Sequence, residues 1–141
     1  SYSLTKALHK KVTDLFWGGF CDDYFTKVQI WKTFEEQGYT LDTHTAVAVD
    51  VYGQYLRDTG DNTKTIIAST ASPYKFADSV LAALDDAQPQ SSNPFELLQK
   101  LHADTGAEIP PRMLALENLP VLHSEVIPAD KMELAVVKNL V

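Results

Sequence analysis

One run of β-branched residues constrains the fold more than any other feature of this sequence. Residues 65–69 (TIIAS) are apolar at their centre, which is typical of a strand buried on both faces of a parallel sheet. Such a strand needs a partner strand on each side to pair its backbone N–H and C=O groups. Residues 121–126 are a weak second candidate for a strand. We therefore expect a helix-rich α/β piece of a larger domain, or a chain that borrows strands through self-association.

Helical spacing of apolar residues dominates the rest of the chain. The pattern predicts helices over residues 4–17, 23–37, 43–57, 73–84, 94–103, 111–117 and 129–140. Capping residues are predicted for five of them: Ser3; Asp22 or Asp23; Asp42 or Thr43; Ser72; and Asn93. Residues 86–93 resemble a linker, so we expect a core region over 1–85 and a helical region over 94–141.

Charge and cysteine content exclude several classes of partner. The 12 basic and 19 acidic residues give a formal charge of −7, which disfavours nucleic acid and anionic membranes as partners. No run approaches the roughly 20 apolar residues of a membrane span. Cys21 is the single cysteine, so no internal disulfide or cysteine zinc cluster is expected, and a cytoplasmic location is the simplest. The four histidines are scattered, and no metal site is predicted.

Hydroxyl side chains follow the predicted strand and precede the predicted helix at Pro73. Ligands of open parallel sheets bind beyond the carboxyl ends of strands, which makes Ser69 and Thr70 candidate contacts. Alternatively, these hydroxyls only satisfy backbone groups of a tight turn. Ser72 and Lys75 also match the S-x-x-K pattern of serine acyltransferases. The companion motifs of that class are absent, so a helix cap is the better interpretation of Ser72.

Four blocks of the sequence, in order, resemble threonine synthases. STASPYKF (69–76) resembles the family's T-A-x-P-x-K-F signature, and GYTLDTHTAVAVDVY (38–52) resembles its G-Y-x-x-D/E-P-H-x-A-V-A-Y segment. FWGGFCDD (16–23) is similar to the aromatic-glycine stretch before it. NLPVLHSEVIPADKMELAVV (118–137) is similar to the closing L-P-x-L…L-P-A-D segment. Residues 1–15 and 86–117 add little to the resemblance.

The resemblance implies a pyridoxal-phosphate enzyme with a tryptophan synthase β-like fold. Such an enzyme is a lyase that converts O-phosphohomoserine and water into L-threonine and phosphate. This chain would be the carboxy-terminal part of its large cofactor domain. No lysine here has an F-K-D-like setting and no G-x-x-G-N-type loop follows a strand. We therefore expect the Schiff-base lysine to lie elsewhere, and this chain alone to be inactive.

The resemblance also assigns candidate site residues. Thr70 matches the family threonine that faces the pyridine nitrogen, and Ser69 and Ala71 flank it. Asp42 and His44 align with the D/E-P-H motif and are candidate residues of the pocket edge, although Thr43 replaces the usual proline. The simpler interpretation of Asp42 is a helix cap, and that of His44 is a packed or hydrogen-bonded histidine.

Two other functions stay open. One is a different pyridoxal-phosphate lyase of the same fold, which the phosphate-binding residues of the full chain would distinguish. The other is a non-enzymatic acidic interaction module, which predicts a stable monomer with a defined partner and no cofactor absorbance.

Overall fold

The computed structural model describes residues 3–85 and 91–139, which divide between two compact units, Ser1–Pro110 and Pro111–Val141. Within its described residues, the first unit contains five α-helices: α1 (Lys6–Thr13), α2 (Asp23–Gln37), α3 (Thr43–Thr59), α4 (Ala77–Leu84) and α5 (Pro94–Thr105). A 3-10 helix, Pro73–Phe76, leads directly into α4. The second unit contains α6 (Pro111–Ala115), α7 (Met132–Asn139) and two 3-10 helices, Leu116–Asn118 and Ala129–Lys131.

The core of the first unit lies where α2 packs against α3 and α4, and where α5 packs against α4. Apolar side chains at helical spacing meet there and leave water, which is the main favourable contribution to folding. The most deeply buried of them are Ile30, Ala46, Val80 and Leu101. The helices predicted over 23–37, 43–57, 73–84 and 94–103 are confirmed. Those over 43–57 and 94–103 each extend two residues further, to Thr59 and Thr105.

Capping residues fix where these helices begin. The side chain of Asp22 accepts a hydrogen bond from Phe25 N at 2.9 Å, and that of Asn93 accepts one from Phe95 N at 3.0 Å. Each satisfies a backbone donor that has no partner within its helix. Gly38 ends α2 at φ 64°, a left-handed conformation that favours glycine.

The end of α5 is held by a carbonyl that accepts two hydrogen bonds. The hydroxyl of Tyr74, which is buried, donates to the carbonyl oxygen of Ala107. His102 Nδ1 lies 2.6 Å from the same oxygen. These contacts join the 3-10 helix before α4 to the loop after α5.

The first helix is shorter than the sequence predicts. It spans Lys6–Thr13 rather than residues 4–17, and Thr5 caps it rather than Ser3, accepting a hydrogen bond from Leu8 N at 3.3 Å. None of its residues is buried, and Leu15 beyond its end is 81% exposed. Because tertiary packing provides most helical stability, nothing extends α1 beyond its capped segment.

The strand predicted over residues 65–69 is wrong. These residues have no regular secondary structure, and no strand occurs in residues 3–85 or 91–139. Ile66, which was expected to be buried on a sheet, is 96% exposed. Residues 121–126 are also irregular. A β-branched run forms a strand only where neighbouring backbone supplies hydrogen bonds, and no described residue does so here. The helix-rich part of the prediction is confirmed.

The second unit has no buried residue among its described positions, 111–139. Its short helices agree with the predicted helices over 111–117 and 129–140, except that residue 140 lies outside the described residues. Residues 86–90 of the predicted linker also lie outside them. No described helix is both long and apolar enough to cross a membrane.

Candidate functional site

A buried carboxylate organises the first turn of α3. Asp42 is 1% exposed, and its Oδ1 accepts hydrogen bonds from His44 N at 2.8 Å and from Thr45 N at 3.2 Å. Its backbone is extended, as a residue preceding a helix requires. The carboxylate therefore caps α3, as the local sequence predicts.

The second carboxylate oxygen of Asp42 faces hydroxyl groups. The Thr45 hydroxyl donates to Asp42 Oδ2 in a short contact, and its Oγ1 lies 3.1 Å from Ser69 Oγ. Ser69 Oγ is itself 3.5 Å from Asp42 Oδ2, at the limit of a hydrogen bond. The three side chains form one cluster, called the Asp42 cluster below. It attaches the irregular segment at residue 69 to the start of α3.

Sequence reasoning did not identify Thr45 as a site residue. The available signal was its spacing: three positions after a helix-capping aspartate, a side chain faces back toward the cap. Its contact with Ser69 could not be read from the sequence, because 24 residues separate the two.

The turn around Thr70 is fixed on both sides. Ser69 Oγ lies 3.4 Å from the carbonyl oxygen of Ala71, which closes the turn across Thr70. Two residues further, Ser72 Oγ accepts a hydrogen bond from Tyr74 N at 3.3 Å, confirming that Ser72 caps the following helix. The Thr70 side chain is exposed, and its hydroxyl has no hydrogen-bond partner within residues 3–85 and 91–139.

His44 lies beside the Asp42 cluster without joining it to Thr70. Its Nδ1 is 3.3 Å from Thr43 Oγ1 and 3.5 Å from Asp42 Oδ1, and 60% of its side chain is exposed. One face of the ring lies against Phe76, with the two ring centroids 5.0 Å apart. The amine of Lys75 lies 5.4 Å from the centroid of that same Phe76 ring.

The residues at this turn fit one contact of pyridoxal phosphate, that of its ring nitrogen. A neutral hydroxyl can hydrogen-bond to a pyridine nitrogen, and the side chain of Thr70 is exposed. The carboxylate of Asp42 is fully engaged by α3 and by Thr45, so it does not compete for such a nitrogen. No cluster of three potential metal ligands occurs in the part of the chain that the structure describes.

Comparison with known protein families decides the broader assignment. A family model described as threonine synthase, C-terminal, matches residues 45–141, which is more than half of the chain. The chain belongs to the threonine synthase family. The resemblance noted in the sequence is thereby confirmed at the level of the family. Search of the curated proteins gives no significant match.

The threonine synthase match begins at Thr45 and contains the turn around Thr70. It also contains the closing block at residues 118–137. Asp42 and His44 precede the matched range, so the match does not bear on their alignment with the family's D/E-P-H motif.

Proposed function

We propose that the protein is a threonine synthase in which this chain forms one wall of a pyridoxal-phosphate site in a tryptophan synthase β-like fold. The reaction converts O-phosphohomoserine and water into L-threonine and phosphate in the cytoplasm. The observation that carries the proposal is the family match over residues 45–141, which includes the hydroxyl-rich turn at Thr70. When bound, the cofactor would supply the electron sink that phosphate loss and water addition require.

In this proposal, the Thr70 hydroxyl donates a hydrogen bond to the ring nitrogen of the cofactor. A hydroxyl cannot stabilise the protonated form of that nitrogen as a carboxylate would, because it carries no negative charge. A hydroxyl at this position would therefore leave a bound cofactor a milder electron sink, which would limit side reactions. Ser69 and Ala71 flank the contact, and their backbone sets the direction of the Thr70 side chain.

Asp42 and His44 act at the edge of the pocket in this proposal. The buried carboxylate of Asp42 keeps the first turn of α3 in place. His44, more than half exposed and packed against Phe76, limits access of water from one side. Neither residue is assigned a proton-transfer step.

The test replaces Thr70 in the holoenzyme by valine and by serine. We expect Thr70→Val to lower kcat/KM for O-phosphohomoserine about 2- to 10-fold and to shift the absorbance of bound pyridoxal phosphate, since one hydrogen bond is lost. Thr70→Ser retains the hydroxyl and is expected to preserve both.

Thr65→Val is the matched control, because Thr65 is an exposed threonine of the same segment whose hydroxyl donates to Thr63 O. Equal effects of Thr65→Val and Thr70→Val would contradict the ring-nitrogen contact. The products separate threonine synthase from other lyases of this cofactor: threonine and phosphate should form in equal amounts, whereas release of a keto acid and ammonia would contradict the proposed reaction.

A further inference from the structure

Thr45 is a buried residue whose hydroxyl serves two neighbours. Only 5% of the residue is exposed, and its hydroxyl contacts both the carboxylate of Asp42 and the hydroxyl of Ser69. A buried hydroxyl keeps its hydrogen-bond partners because losing them costs free energy. Threonine is also branched at Cβ and stands in the first turn of a helix, which restricts rotation about χ1. The Thr45 side chain therefore has little rotational freedom, and its contact restrains the position of Ser69.

Ser69 carries this restraint to the next residue. Its oxygen lies 3.1 Å from Thr45 Oγ1 and 3.4 Å from the carbonyl oxygen of Ala71. Because the Thr45 proton is donated to Asp42, the single Ser69 proton is shared between these two acceptors. Thr70 lies between these two anchored positions, and Ser72 is fixed in turn as the cap of the following helix. Few backbone conformations remain for Thr70, although its side chain is exposed.

We infer that Thr45 is a positioning residue for the Thr70 hydroxyl, acting through Ser69. The inference rests on the proposed function, because the cofactor nitrogen is the target that makes the direction of that hydroxyl matter. Thr45 does not touch the cofactor. It reduces the conformational freedom that Thr70 would otherwise lose on binding, which is how a preformed turn strengthens affinity.

The first measurement is independent of the cofactor. In the cofactor-free full-length protein labelled with ¹⁵N, the order parameter of the Ala71 backbone N–H is measured by NMR, with the N–H of Ala46 in the buried core as internal reference. We expect a value of roughly 0.85 in the unmodified protein and below about 0.6 in Thr45→Val. Thr45→Ser retains the hydroxyl and should restore the higher value. Thr43→Val, two residues earlier on α3 and outside the Asp42 cluster, should leave it unchanged.

The second measurement is cofactor affinity in the same variants. We expect the Kd of pyridoxal phosphate to rise about 2- to 10-fold in Thr45→Val, to return toward the original value in Thr45→Ser, and to stay the same in Thr43→Val. If Thr45→Val does not fold, Ser69→Ala removes the exposed end of the same contact and should produce both effects.

The outcomes separate this inference from the proposed function. An unchanged Ala71 order parameter in Thr45→Val and in Ser69→Ala overturns the anchoring itself. A mobile Ala71 with unchanged cofactor affinity, while Thr70→Val weakens binding, shows that Thr45 is merely structural and overturns the positioning role. If Thr70→Val leaves cofactor binding unchanged, the ring-nitrogen contact of the proposed function fails, and the role of Thr45 toward the cofactor fails with it.

Discussion

The hydroxyl oxygens of Thr45 and Ser69 lie 3.1 Å apart, although 24 residues of sequence separate them. One belongs to the first turn of α3 and the other to a segment without regular secondary structure. The irregular segment therefore has a fixed end, because the contact leads back to a carboxylate that backbone N–H groups already hold.

Removing the carboxylate of Asp42 should destabilise the protein strongly. Asp42→Ala leaves two backbone N–H groups and the buried Thr45 hydroxyl without their acceptor. We expect the free energy of unfolding to fall by about 2–4 kcal/mol, as measured by urea denaturation. The control is Asp22→Ala at the exposed cap of α2, where a loss of about 0.5–1 kcal/mol is expected. Similar losses in the two variants would show that the Asp42 cluster adds nothing beyond capping.

Asp61 should make the free energy of unfolding depend on pH in the acidic range. Hydrogen bonds from the Thr63 hydroxyl, the Tyr55 hydroxyl and the Thr63 backbone lower the pKa of Asp61 from 3.8 to about 2. Because this pKa is lower in the folded state, its contribution is complete above about pH 4 and is lost as the pH falls toward 2. In urea denaturation at pH 5, 4 and 3, Asp61→Asn should therefore lose less stability between pH 4 and 3 than the unmodified protein.

The control for Asp61 is Asp58→Asn, which changes another exposed carboxylate near the end of α3. The assigned role of Asp61 requires the change in pH dependence to be larger in Asp61→Asn than in Asp58→Asn. A pH dependence that is identical in all three proteins would contradict the assigned role of Asp61.

Features that depend on neighbouring residues could be predicted from the sequence. The caps at Asp42, Ser72 and Asn93 need only donors two or three positions away, and their side-chain type indicates them. That α2, α3 and α5 are helices followed from apolar spacing for the same reason. The buried side of α2 did not follow, because Thr26, Ile30 and Thr33 form it.

Features that depend on distant residues could not be predicted. Residues 65–69 have strand propensity, but propensity describes fit to a sheet, and no described neighbour provides one. The end of α1 was misplaced because its apolar residues suggest packing that the structure does not provide. The contact of Thr45 with Ser69 required the fold. The role of Thr70 toward a cofactor came from family resemblance and stays a prediction.

A side chain at position 19 should destabilise the protein. A Cβ at this position would lie 2.9 Å from Trp17 Cζ3 and 2.9 Å from Val51 Cγ1, closer than carbon atoms pack. We expect Gly19→Ala to lower the free energy of unfolding by about 1–3 kcal/mol and to change the fluorescence of Trp17. Gly18→Ala is the matched control, because nothing lies within 4 Å of a Cβ there. Equal free energies of unfolding for the two variants would show that the neighbouring side chains, such as Trp17, move aside without a loss of stability.

Self-association of the chain should run through the exposed segment at residues 65–69. Ile66 is 96% exposed, and unpaired backbone next to β-branched side chains favours pairing between chains. We expect the sedimentation coefficient to rise with concentration, and Ile66→Lys to reduce that rise. Val121→Lys, at a position 84% exposed in the second unit, is the control and should not reduce it. A compact monomer at high concentration would contradict this prediction.

The carbonyl of Ala107 determines the chemistry of a ring five residues earlier. A carbonyl oxygen has no proton to give, so the nitrogen 2.6 Å away must supply it, and neutral His102 is held as the tautomer protonated at Nδ1. The lone pair of the imidazole is then confined to Nε2. Alkylating reagents should modify that nitrogen alone for as long as the carboxyl end of α5 keeps its native form.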